Sequence, residues 1–457
     1  MDEQIPANAK SILAAVRCPR CAVTLDLSAA RIVCAACGQH YPRLGSIPVL
    51  FREPDTYLEI VGQQLRDLAA QIDTTSRALE SQVRAPDVLP RTRARCEALL
   101  SAARQQHSDI ADLLTPLLPP ATPQPIPATV NVPSLLTNIH YLFRDWGWPP
   151  SGDDENARTL AAVLRVLGSG SIGTTLVLGA GACRLASDLH RVAGATETFA
   201  LDIDALLVAA AAVIVRGGTT RMTEGYTDIN EYERPSTCWT LRAPQPVGDG
   251  FHLMLADGLN PPFAPNTFDT VVTPWFIDAI PADLRDAITV ASTALRRSGR
   301  WVSIGPLRYA SDVPIARRFS REEVFELVER AGLRLSAWES STSPSLVSPL
   351  TGRGRVEWVV AFCALKDGDD PQRGVLKSPP SWILFGHIPI PTFDRVPPLA
   401  PGDPLSPLIL DAIDGHRTLN DITDHVAARL AGSGFSRRQL REAIRQCVAD
   451  FHPLVRK

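Results

Sequence analysis

Two C-x₂-C pairs, Cys18-Pro-Arg-Cys21 and Cys34-Ala-Ala-Cys37, constrain this chain more than any other feature. Each pair aims two thiolates at one point, and two pairs complete a tetrahedral set of four sulfurs, the ligand set of Zn²⁺. Four thiolates leave no open coordination position, so the metal is expected to be structural. His40 lies near, but the set is already full. A redox C-x-x-C is the competing reading, and two pairs this close together argue against it. The module so defined, residues 12–54, is too small to bury much apolar surface, so metal binding should supply most of its folding free energy.

The whole chain has 457 residues, too many for one ordinary core. Composition divides it further. A helical segment is expected over 55–115, where LLSAARQQHSDIADLL alternates apolar and polar residues at helical spacing. Residues 116–129, PLLPPATPQPIPAT, are too rich in proline for a helix and read as a stiff linker. Residues 130–366 alternate short apolar strands with helices, the pattern of a doubly wound α/β sheet. A second linker, 367–405, contains the strand-like WILFGHI, and 406–457 form a small helical unit. Net charge is −3 and pI about 6.3, which gives no case for nucleic-acid binding. There is no membrane-length apolar run. MDEQIPANAKSILAA does not read as a secretory signal, and the cysteine usage suits a reducing compartment, so the expected location is the cytoplasm.

Residues 174–190, TTLVLGAGACRLASDLH, give a strand, a Gly179-Ala180-Gly181 turn and a helix. Small residues there let backbone approach a ligand at the carboxyl edge of the sheet. A dinucleotide fingerprint needs a third glycine where this chain has Arg184, and no phosphate-cradling P-loop motif is present. The next strand, Thr198 to Leu201, ends in Asp202, placed to accept both ribose hydroxyls of an adenosine. A later strand, in LMLADGLNPPF, ends in Asp257, on the adenine side of the same pocket. A third acid, Asp278, follows the apolar run FDTVVTPWFI; it either serves the helix expected near Pro281 or faces a bound molecule. Glycine turn, ribose acid and adenine-side acid in this order resemble S-adenosylmethionine methyltransferases. The resemblance implies a class I, Rossmann-like methyltransferase sheet with S-adenosyl-L-methionine as cofactor.

Three further resemblances follow. The ribbon and its tail, GQHYPRLGSIPVLF, are similar to the zinc-ribbon activating subunits of RNA and protein methyltransferases. The segments FRDWGWP, FDTVVTPWFIDAI and LRRSGRWVSIGPLRY resemble the carnosine N-methyltransferase family, which methylates an imidazole nitrogen. Position by position, that resemblance implies cofactor contacts from Arg144, Gly181, Asp202 and Asp257, with Gly179 and Gly258 shaping the pocket. It implies that Asp278 and Tyr309 meet the acceptor, with Asp278 in the catalytic role. Two departures stand out: the family glutamine before the arginine is Tyr141, and the histidine that helps hold carnosine is Ala310. Methyl transfer to a nitrogen acceptor therefore carries over, and carnosine itself does not. Finally, LDAIDGHRTLNDITDHVA resembles the winged-helix-like recognition elements of peptide maturation. The expected partner is thus a peptide or small peptide-like substrate, held by the C-terminal unit, with a docking or dimerisation module as the bland alternative. A methyltransferase acting on RNA or protein, using the ribbon to dock substrate, and a non-catalytic scaffold are the competing functions.

Overall fold

The computed structural model describes residues 14–118, 132–228, 231–232, 234–310, 313–368, 380–384, 386, 388–392, 405–430 and 436–451. The 116–129 linker lies outside the described residues from position 119 onward, as does most of 367–405.

The ribbon contributes four short strands: β1 (Ile32–Val33), β2 (His40–Tyr41), β3 (Arg43–Leu44) and β4 (Ile47–Leu50). Two long helices follow, α1 (Pro54–Val83) and α2 (Pro90–Leu114), each opened by a proline in its first turn, where the missing N–H costs nothing. The α/β region then runs α3 (Ile139–Trp146), α4 (Ser151–Leu167), β5 (Gly173–Leu178), α5 (Arg184–Val192), β6 (Ala195–Asp202), α6 (Ala205–Ile214), β7 (Thr219–Gly225), β8 (Ser236–Arg242), β9 (Phe251–Ala256), β10 (Phe268–Pro274), α7 (Leu284–Ala294), β11 (Leu295–Gly305), α8 (Arg321–Arg330), β12 (Leu333–Ser345) and β13 (Arg355–Lys366).

The main sheet has the order β12-β13-β11-β10-β5-β6-β9-β4-β3. Strands β9, β6, β5, β10 and β11 pair in parallel, while β13 runs antiparallel between β11 and β12. This is the expected class I sheet. The chain leaves β5 in one direction through β6 and β9, then returns to β10 on the other side. The switch point therefore lies at the carboxyl ends of β5 and β10, where open α/β sheets bind ligands. Helices cover both faces. One core unites α3–α6 with the α1–α2 pair; the other unites α7, α8 and the ribbon. Helix α6, ALLVAAAAVI, is apolar all round because strands β7 and β9 and helices α2 and α3 all pack on it.

The two strands at one edge of this sheet, β4 and β3, come from the ribbon. Strand β4 lies parallel to β9, pairing Val49 with Leu255 and Leu50 with Ala256. The first described residues grip the same loop from its far side. Val16 bridges Phe263, Arg17 N–H donates to Pro262 O at 2.8 Å, and Ala264 N–H donates to Ala15 O at 2.8 Å. The loop from Asp257 to Ala264 is thus tied at both ends to the metal module. A separate hairpin, β7–β8, sits on α2, with Asp109 accepting Thr223 N–H at 2.7 Å and Gln106 donating to Thr223 O at 2.7 Å.

The C-terminal helices are α9 (Ser381–Leu384), α10 (Ser406–Ala412), α11 (Leu419–Arg429) and α12 (Arg437–Phe451). The strand-like WILFGHI proves to begin with α9. Its Ile383 is drawn into a core with Ile409, Leu419, Ile422, Val426, Leu440 and Ile444, so packing overrides the local pattern. Thr418 and Asp421 form a capping box. The side chain of Phe451, expected in this core, lies outside the described residues. Among the described residues no helix is long and apolar enough to cross a membrane.

Candidate functional site

The four ribbon sulfurs come together. Cys18, Cys21, Cys34 and Cys37 hold their Sγ atoms within 4.8 Å of one another. The Cys18–Cys37 and Cys21–Cys34 sulfurs are 3.6 and 3.4 Å apart. Sulfurs at 2.3 Å from a tetrahedral centre stand about 3.8 Å apart, so the set fits Zn²⁺. Two matching turns build it. Ala22 N–H donates to Cys18 O and Gly38 N–H to Cys34 O, and both closing residues take positive φ, +59° and +70°. Tyr41 Oη adds a contact at 2.9 Å to Cys18 Sγ.

At the switch point, Gly179 and Gly181 have φ of +68° and +56°, a backbone that favours glycine. A methyl group at Gly181 would have its nearest neighbour at 4.0 Å, so that face of the turn is open. Asp202 closes the turn from β6. Its Oδ2 accepts Gly181 N–H at 2.7 Å and its Oδ1 accepts Asp204 N–H at 2.9 Å. Burial pushes its carboxyl up, opposed by those N–H donors. Asp257 follows β9, stands exposed at the mouth of this edge, and accepts Leu259 N–H at 2.8 Å. Gly181, Asp202 and Asp257 thus stand at the carboxyl ends of three neighbouring strands.

Sequence reasoning missed several supports of this edge. Asp204 caps α6 through Leu207 N–H, accepts from Asn138 Nδ2 at 3.1 Å, and is pushed up to about 7 by burial and by the charge of Asp202. A polar cap before ALLVAAAAV was a readable signal for it. Tyr57 of α1 donates to Ile203 O at 2.8 Å, and Trp146 of α3 donates to Ala182 O at 2.8 Å. Neither had a local signal, because both span long sequence separations. Gly179 and Gly258 back onto the ring of Phe276.

Arg144 does not stand free. Its guanidinium pairs with Asp145 at 2.7 Å and Glu155 at 3.3 Å, and lies over Tyr141 and Trp275, 5.0 and 5.6 Å from the ring centroids. Glu155 also accepts Leu346 N–H at 2.7 Å, tying this cluster to the loop after β12. Arg184, at the missing third glycine, pairs with Asp188 at 2.9 Å and Asp153 at 3.2 Å.

Asp278 lies 7 % exposed beyond β10. Its Oδ2 accepts Arg308 N–H at 2.6 Å. Burial pushes its carboxyl up, with the Arg308 N–H working the other way. It does not cap the next helix. That helix starts at Leu284, later than Pro281, and its cap is Asp283, which accepts Arg285 N–H at 2.9 Å. Asp278 instead holds the loop after β11, where Tyr309 lies. The Tyr309 hydroxyl is buried with no hydrogen-bond partner among the described residues, and the Asp278 charge joins burial in pushing it up.

No family model matches the chain, and no curated protein matches it. Solved structures do. The complex of the Haloferax volcanii Trm112 methyltransferase activator with a methyltransferase matches at 17% identity and TM-score 0.33, over 51% of this chain and 96% of that one. A Bacillus halodurans protein described as a methyltransferase matches at 12% and 0.31, over 47% of this chain and 100% of that one. Haemonchus contortus phosphoethanolamine N-methyltransferase 2 with S-adenosyl-L-methionine matches at 14% and 0.34, over 51% and 57%. None of these values is high enough to carry a function across.

Proposed function

We propose that this chain is an S-adenosylmethionine-dependent methyltransferase that methylates a nitrogen, imidazole or amine, of a peptide or peptide-like substrate. The observation that carries the reading is the convergence of Gly181, Asp202 and Asp257 at one sheet edge, with Asp278 at the end of the adjacent strand β10. The residues present fit the cofactor: Asp202 and Asp257 suit ribose and adenine, and the open Gly181 turn suits close backbone approach. When bound, the cofactor supplies an electrophilic methyl group on a sulfonium.

The chain's own residues then have to present a neutral nitrogen in line with that methyl group. Alignment of this kind is worth up to about 7–11 kcal/mol. Asp278 has one oxygen on Arg308 N–H, which leaves the other to accept the acceptor's N–H, fix its tautomer and offset the charge that forms. Tyr309 would hydrogen-bond the acceptor from the same loop. Support for a peptide comes from the segment that leads into the C-terminal unit: its Ile388, like Tyr309, packs against Val313 beside this loop. The ribbon continues the main sheet, which favours a structural role for it over substrate docking.

Asp278→Asn tests the reading. The amide oxygen can still accept Arg308 N–H, so the loop should stay in place, while the NH₂ presents the wrong polarity to the acceptor. Cofactor affinity should be kept and single-turnover methylation of the true acceptor should fall by about 10²-fold or more. A full-speed variant would make Asp278 a loop clamp and nothing else.

A further inference from the structure

Three residues beyond β10 point to three different neighbours. Trp275 takes a positive φ of +46°, donates its N–H to Ile304 O at 2.6 Å, and turns its ring toward Arg144. Asp278 faces Arg308. Between them, Phe276 reaches the strand ends on the cofactor side. A methyl group at Gly179 would lie 2.7 Å from Phe276 Cδ2, and one at Gly258 would lie 2.9 Å from Cε2 and 3.0 Å from Cζ. The ring therefore fills the space that side chains at both positions would need. It is only partly buried, so it is not simply core.

We infer that Phe276 is a positioning residue: its ring sets the spacing between the Gly179 turn and the Asp257-Gly258 turn, and so shapes the adenosine crevice from below. Gly179 and Gly258 are then glycines for the sake of this ring as much as for the cofactor. The inference rests on the methyltransferase reading for its consequence in binding, but not for the packing itself. Gly258 gives the cleaner probe. It has no positive φ, and the other atom near an added methyl, Leu178 Cβ, is at an ordinary 3.8 Å.

The test is a double-mutant cycle in the zinc-loaded full chain, with Gly258→Ala and Phe276→Ala singly and together. S-adenosylmethionine affinity and the unfolding midpoint are both measured. Gly258→Ala alone should weaken the cofactor by about tenfold or more and lower the midpoint, because the added methyl displaces the ring. In the Phe276→Ala background the same change should alter affinity by less than about twofold, since the clash is gone. Phe276→Ala alone should also weaken the cofactor, and Phe276→Leu, which keeps part of the volume, should restore much of the loss. A merely structural ring would move the midpoint and leave affinity alone. Equal cost of Gly258→Ala in both backgrounds, in affinity and in midpoint, would overturn the inference. If the wild-type chain bound no S-adenosylmethionine, the functional reading would fall, and the midpoint coupling would still decide the role of the ring.

Discussion

Replacing Asp202 with alanine is expected to remove measurable S-adenosylmethionine binding while the zinc module stays folded. The carboxylate takes one backbone N–H on each oxygen, from Gly181 and Asp204. Alanine strands both part-buried donors, at up to about 1–3 kcal/mol each, and loosens the turn that the cofactor would approach. On the proposed reading it also deletes the acceptor for the ribose hydroxyls, whose charge-assisted bonds would be worth about 1.5–3 kcal/mol each. Together these losses exceed a hundredfold in affinity by the usual rule of about 1.4 kcal/mol per decade. Asp202→Asn, though isosteric, should fail nearly as badly, because its NH₂ must face one of the two N–H donors. Titration with the cofactor checks both variants; unchanged affinity in either would move the ribose elsewhere.

Zinc removal should have the second large effect, and it should act at a distance. Metal analysis is expected to find one zinc per chain, held by Cys18, Cys21, Cys34 and Cys37. A structural zinc site supplies on the order of 10–16 kcal/mol to a small module, so chelation unfolds the ribbon. Unfolding takes β4 away from β9 and releases the Val16 to Phe263 contact, the two ties of the loop that starts at Asp257. It also frees the chain that leads through Phe51, stacked on Tyr57, to the Ile203 carbonyl beside Asp202. Cofactor affinity should therefore fall by about tenfold or more on full zinc extraction and return on re-addition of metal. Unchanged affinity in protein shown to hold no zinc would mean that the ribbon and the crevice are independent.

How much of this was legible in the sequence depended on range. The knuckles, the Gly179–Gly181 turn and the acids after strands are signals within a few residues, so residue type and spacing revealed them. Asp278 was legible as an acid at a strand end but not as the clamp of Arg308, because that partner is thirty positions away. The helix it was suspected of capping belongs to Asp283, and only the fold shows which of two nearby acids is used. The run IPVL was readable as part of a ribbon tail. Its pairing with β9, some two hundred residues later, had no local trace. Gly179 and Gly258 were read through the ligand they were expected to meet, whereas the packing adds the ring of Phe276. Short apolar runs stayed ambiguous, and WILFGHI, which opens as a helix, is the example.

Every binding prediction above depends on the proposed adenosine crevice at the ends of β5, β6 and β9. Calorimetric titration of S-adenosylmethionine into the zinc-loaded full chain tests it most directly. Saturable binding at one cofactor per chain is expected, with a rise in the unfolding midpoint as ligand exceeds its dissociation constant. No heat and no shift of the midpoint at saturating S-adenosylmethionine, in protein with native zinc content and native circular dichroism, would contradict it.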